Sequence, residues 1–216
     1  MNLQKLGGLS AITQAIIYLF GFIIYGAVLN YLPANSTASQ TIAHLSENQL
    51  LLSITNLIIY VLFGIVLAVL VLAIYERTKG EAYLSKLAAV FGFVWVVLVI
   101  ASGMILNIGL AAVIKNGIIN PEEAVTLWKM VNIMGDSLGG GNEIVGALWL
   151  IFLSIAGFKS NTLPKGLVYF GLLIGVFGVC TIYPYFIFAE LFGTTQILWF
   201  VWVGVVMLKS QQQKSL

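Results

Sequence analysis

The chain has 216 residues, 60% of them hydrophobic and 8% charged, with ten Lys and Arg against eight Asp and Glu. A water-soluble fold of this length would carry about a quarter charged residues, so the composition excludes a soluble domain and makes lipid the solvent. The net charge of +2 offers nothing to nucleic acid, the lone Cys180 excludes a disulfide or paired-thiol site within the chain, and the lone His44 excludes multi-histidine metal motifs.

Apolar windows of about 20 residues predict an all-α, polytopic membrane protein with six transmembrane helices. They fall at 10–32, 50–75, 87–111, 142–158, 165–185 and 189–208, and together make one integral membrane domain over 1–216. The first, Ser10 to Tyr31, follows Lys5 as a secretion signal would, but it is too long and lacks a small-residue cleavage site, so it reads as a retained span. The polar breaks between spans are too short for a soluble domain. Tyr31, Tyr83, Tyr183 and Tyr185 stand near span ends, where tyrosine anchors to headgroups, whereas Trp149 and Trp202 lie deeper and read as packing.

Cations set the orientation, because cytoplasmic loops retain Lys and Arg. Lys5, Arg77, Lys79, Lys86, Lys159, Lys165, Lys209 and Lys214 fall on one side, and Lys115 and Lys129 on the other. Both termini are therefore expected in the cytoplasm of a multi-pass cell-membrane protein, with the cation-free stretch Pro33 to Asn48 facing outward.

Between the third and fourth spans, Asn120-Pro121-Glu122-Glu123 is a helix start, with Asn as cap, Pro at the first helical position and acids over the positive end of the dipole. Ala124, Leu127, Trp128, Val131, Met134, Gly135 and Leu138 then recur at three- and four-residue spacing, with Glu122, Thr126, Lys129, Asp136 and Ser137 mainly opposite. This predicts an amphipathic helix over 121–138, about 27 Å long. Burying Lys129 and Asp136 at mid-membrane would cost about 2.5 to 3.5 kcal/mol each, which places the helix in the outer interface, its apolar face on lipid or on the other helices.

The run Asp136 to Glu143, D-S-L-G-G-G-N-E, concentrates polar residues before an apolar segment. Its three glycines break the helix and Asn142 is positioned to cap the next one. Free N–H groups in such a turn would cradle an anion, but Glu143 opposes one, so the corner suits a cation, an amine or a proton-sharing ligand better. Asn56, Asn107, Thr181 and Gln196 also fall in the outer third of their spans, as do Asn30, Ser53, Thr55, Glu190 and Thr195. Amides and hydroxyls are costly against lipid, so they are expected to point inward, either bonding neighbouring helices singly or lining one shared, outward-opening pocket. The candidate ligand-binding residues are Glu143, Asn142, Gln196, Asn56, Asn107 and Thr181.

In the fifth span, Gly171, Gly175 and Gly178 form a small-residue face for close helix approach, within the chain or in a homo-oligomer. No Ser/His pair, aspartate pair or paired cysteine is present for catalysis, and no cofactor or metal site is expected. The expected function is binding of a small amphiphile, membrane lipid or protein partner near Glu143. The alternative is a small solute transporter or permease, acting alone or as an oligomer.

Three segments carry a resemblance: G-G-G-N-E-I-V-G-A-L-W from Gly139, L-P-K-G-L-V-Y-F-G-L-L-I-G-V-F-G from Leu163 and Q-I-L-W-F-V-W-V-G-V-V from Gln196. They resemble bacterial six-helix membrane proteins grouped as a domain of unknown function, type 4386. The resemblance covers mainly Gly139 to Leu208, while the first half shares only the hydropathy pattern. It implies a bacterial inner-membrane location and six helices, and it brings no activity, cofactor or catalytic residue with it.

Overall fold

The structure, a computed structural model, describes residues 2–140, 143–183 and 185–212, and among these it is helical with no strand. The helices are α1 (Leu3–Ile23), α2 (Ala38–Glu47), α3 (Gln49–Asn56), α4 (Phe63–Thr78), α5 (Ala82–Gly117), α6 (Pro121–Gly135), α7 (Ile144–Lys159), α8 (Lys165–Cys180) and α9 (Phe186–Gln212). Wider π-helical turns over Ile24–Val28 and Leu57–Leu62 extend α1 and join α3 to α4, and within Asp136–Gly140, after α6, the chain kinks at Gly139, whose backbone is not helical.

Among the described residues, five stretches are long and apolar enough to cross a membrane: Leu3–Val28, Gln49–Thr78, Ala82–Gly117, Ile187–Lys209, and Pro121–Lys159, which takes in α6 and α7. The predicted span at 165–185 is a shorter apolar helix of 16 residues, because α8 stops at Cys180. The chain packs as a ring in which α1 meets α4, α4 meets α5, α5 meets α7, α7 meets α8, α8 meets α9, and α9 closes on α1. Trp95, Trp149, Trp199, Phe192 and Phe200 fill its centre, fully buried.

Glycines set how closely these helices approach. Trp149 lies over Gly92 of α5, and Trp95 of α5 lies over Gly146 of α7, so each tryptophan occupies the notch of the facing helix. The Gly171, Gly175 and Gly178 face is filled from within the chain. Side chains added there would meet Ser154, Ile151 and Ala147 of α7, and also Trp199 and Phe192 of α9. Of the two uses expected for these glycines, the close approach of helices within the chain is the one seen here.

α6 does not lie across the end of the bundle. Val131 packs on Gly109, Leu106 on Gly135 and Val99 on Gly139, so the chain returns antiparallel along α5 before continuing as α7. The cap predicted at Asn120 is present, its side chain accepting from the Glu123 N–H at 3.3 Å. Ala124, Val131 and Gly135 are buried as the spacing predicts, whereas Met134 is exposed.

The segment Pro33 to Asn48, read as a loop, holds α2. Thr37 and Gln40 form a reciprocal capping box, with bonds of 2.8 and 3.2 Å, and Ile42 covers Gly117. Ile42, Leu45, Leu52, Leu110, Val113 and Ala124 make a second, smaller core, so α2 and α6 pack along the far half of α5 and form a cap beside the ring. At 36 residues α5 is about 54 Å long, nearly twice the hydrocarbon thickness of a bilayer, and its far half carries this cap.

Charge divides along the same axis. Lys5, Arg77, Lys79, Lys86, Lys159, Lys165 and Lys209 share the end where α1 starts and α9 finishes, with Glu76 and Glu81, whereas the cap end has Lys115 and Lys129 against six acids. Lys214 lies outside the described residues. Arg77 is tied down at its end, its Nε donating to the Thr162 carbonyl at 2.9 Å.

Candidate functional site

A π-helical turn closes a wider ring than an α turn, as in the bond from the Leu29 N–H to the Ile24 carbonyl at 2.8 Å, and it displaces the regular ladder. In an apolar surrounding the disturbed carbonyls need other donors. Buried Gln14 donates to the Phe63 carbonyl at 3.2 Å, just past the second π turn, and buried Ser102 donates to the Gly135 carbonyl at 2.8 Å, at the end of α6 just before the kinked segment. The Tyr31 hydroxyl donates to the Tyr25 carbonyl inside the first at 2.9 Å.

Both π turns and the kinked segment after α6 border the same two cavities. A lower cavity of about 520 Å³ takes Tyr25 and Gly26 from the first turn, Ile59 and Tyr60 from the second and Gly139 from the kink. Ile17, Tyr18, Gly21 and Phe22 of α1, Phe63 of α4, Trp95 and Val99 of α5, Glu143, and Ala189, Glu190 and Gly193 of α9 complete its wall. A second cavity, of about 510 Å³, lies on the cap side and shares Tyr25 and Tyr60 with the first. It is more polar, with Ser36, Thr41, His44, Asn56, Asn132 and Asp136 among its lining.

The lower cavity opens between α1 and α9. Near the other end of this seam the two helices nearly touch, a side chain added at Gly204 meeting the Gly8 carbonyl at 3.0 Å. Towards the cap they part, so that an added side chain at Gly193 would have only ordinary contacts, 3.6 Å to Tyr18 and 3.9 Å to Phe22, and one at Gly26 would meet open space. Phe22, Gly26 and Glu190 are exposed and form the rim.

Glu143 sits immediately before α7 and contributes to the wall of this cavity. Its backbone N–H donates to the Thr181 Oγ1 at 3.0 Å, and the Thr181 hydroxyl in turn donates to the Gly178 carbonyl at 2.6 Å, which ties the corner to the end of α8. The carboxylate Oε2 is enclosed and has no hydrogen-bond partner among the described residues, and the same holds for Trp95 Nε1 in the same wall. Two residues that line one apolar cavity, Glu143 and Trp95, thus each keep an enclosed polar atom without a partner, and a ligand group that reached these atoms would gain most from pairing with them.

The other predicted site residues distribute around this pair of cavities rather than around one pocket. Asn56 lines the upper cavity, where its Oδ1 accepts from the Tyr25 hydroxyl at 3.2 Å, and its Nδ2 points to Asn107 Oδ1 at 3.5 Å. Asn107 backs it from α5 by donating to the Ser53 carbonyl at 3.3 Å. Gln196 is fully buried behind the lower cavity and accepts from the Tyr18 hydroxyl at 3.2 Å. Thr181 positions the Glu143 backbone without lining either cavity, and Asn142 lies outside the described residues. Thr195 bonds only to carbonyls of its own helix.

The residues that sequence reasoning missed are aromatic. The Tyr18 hydroxyl ties Gln196 of α9 to the lower cavity, the Tyr25 hydroxyl ties Asn56 of α3 to the upper one, Tyr60 lines both, and Phe63 and Trp95 pack edge to face with centroids 5.7 Å apart. Their sequence signal was present, since all three tyrosines stand within spans and not at their ends, where an anchor would sit. Tyr31, Tyr83, Tyr183 and Tyr185 are exposed as the anchor reading requires, and Trp202, read as interior, is 42% exposed on the outside of the ring. No family model, no curated protein and no solved structure matches this chain.

Proposed function

We propose that this protein is a non-catalytic receptor or carrier in the membrane that holds a small amphiphile in the cavity beside Glu143, admitting it sideways between α1 and α9. The observation that carries the proposal is the enclosed, unpartnered Glu143 Oε2 in the wall of an aromatic cavity of about 520 Å³. That volume is in the range of small-molecule sites, and a mostly apolar wall with a few polar atoms fixes the orientation of an amphiphile. The packed layer of Trp95, Trp149, Trp199 and Phe200 beneath it favours binding over passage, so the transporter reading is the weaker one. Native mass spectrometry of the protein released from phosphatidylethanolamine nanodiscs checks this. One retained amphiphile per chain is expected for wild type and none for Gly193→Leu, whose side chain fills the mouth. Equal occupancy in both would overturn the proposal.

The reading includes six spans, with α8 as the shortest, and a cytoplasmic charge-rich end in a cell membrane, the cap facing outward. The support is the seven-to-two division of the described cations and the closed ring of six helices. In a Cys180→Ala background, a membrane-impermeant maleimide applied from outside should label Ser39→Cys and Glu122→Cys but not Lys79→Cys or Lys165→Cys. The reverse pattern would invert the orientation.

A further inference from the structure

We infer that the cavity beside Glu143 is selective for a lipophilic organic cation, an amine or ammonium group carried on an apolar body. This rests on the binding reading above and names its ligand class. Three features point the same way. The two cavities are bordered by Glu143, Glu190 and Asp136, and among the described residues no lysine or arginine lines either of them, His44 being the one basic side chain, in the upper cavity. The wall is aromatic, with Tyr18, Tyr60, Phe63 and Trp95 around the lower cavity, and the faces of such rings attract a cation, most strongly where water is excluded. Finally, the Glu143 carboxyl has an enclosed, unpartnered oxygen, so its ionised form is costly without a counter-charge, and a bound cation is a partner with which it gains most.

An anionic headgroup would meet like charge at every carboxylate and no counter-charge. A neutral alcohol would satisfy Glu143 Oε2 and Trp95 Nε1 by hydrogen bonding, but it would leave the acidic surroundings uncompensated. A cation with an alkyl chain uses the whole arrangement, its charge among the rings near Glu143 and its chain leaving through the gap between α1 and α9. Glu190, exposed at that rim, supplies a first attraction for the charge on its way in.

The test compares two probes with one chain length, dodecyltrimethylammonium and dodecanol, binding to the protein in phosphatidylcholine nanodiscs. The quaternary probe has no N–H, so its affinity reports charge and ring contacts rather than hydrogen bonding. Wild type is expected to bind the ammonium at least about tenfold more tightly than the alcohol. Glu143→Gln should lower ammonium affinity about tenfold or more and leave dodecanol unchanged, and Gly193→Leu should abolish saturable binding of both. Equal affinities in wild type, or ammonium binding unaltered by Glu143→Gln, would overturn the cation assignment while dodecanol binding sensitive to Gly193→Leu would keep the pocket. Absence of saturable binding by either probe would overturn both. If Glu143→Gln fails to fold, the wild-type affinity ratio decides the matter.

Discussion

Trp149→Ala is expected to remove about 3–5 kcal/mol of stability, the range for truncating a large buried aromatic, whereas Trp202→Ala should cost under about 1 kcal/mol. Trp149 is 1% exposed, its ring centroid is 5.6 Å from Trp95 and 5.7 Å from Trp199, and it fills the notch at Gly92 where α5 and α7 meet. Alanine there would leave a void at the centre of the ring, with Trp95 and Trp199 each losing a partner. Trp202, by contrast, stands on the outer flank against Phe170, where lipid tails replace whatever contact is lost. Reversible unfolding in mixed micelles with increasing dodecyl sulfate, followed by helical circular dichroism, gives both values. Equal losses at the two positions would show that the ring centre is not where the stability resides.

Glu143→Leu should have the opposite sign, stabilising the ligand-free protein by about 1–3 kcal/mol, the typical cost of an enclosed polar group without a partner. Leucine has a similar volume and lines an apolar cavity, so little packing is lost. The hydrogen bond to Thr181 comes from the Glu143 backbone and survives the change. The same variant should lose cation binding. This pairing of gained stability with lost binding is what separates a binding group from a structural one. If Glu143→Leu unfolds more easily than wild type, the carboxylate has a structural partner and the functional assignment falls.

Hydropathy located the helices because each residue of a lipid-facing helix must be apolar, and it erred where protein rather than lipid does the covering. It ended the third span at 111, yet α5 continues to Gly117 because Ile42 of α2 and the returning α6 enclose its far half. The same cover explains α2. Its Ile42 and Leu45 are too few to register as a span, and they become a core only when α5 and α6 supply the other side. Glu143 was legible because an acid bordering an apolar segment has few inexpensive places to be. Asn56 and Asn107 were legible as polar residues that should pair, and they do point to one another, but no pattern in the chain revealed that they belong to a different cavity from Glu143. Tyr18, Tyr25 and Tyr60 escaped because a tyrosine suits an interface, a core or a ligand equally well, and only the partner of its hydroxyl distinguishes these.

The π turn between α3 and α4 has a geometric consequence for how such a molecule could be altered. It accommodates one residue more than an α-helical turn would, and one residue corresponds to about 100° of rotation along an α-helix. The turn at Leu57–Leu62 therefore acts as a phase shifter, letting one continuous helical stretch present one face to the ring and another, rotated face to the cap. A single-residue deletion within it would restore regular winding and swing α3 out of phase with α4. Asn56 would then turn away from the upper cavity while α4 kept its packing.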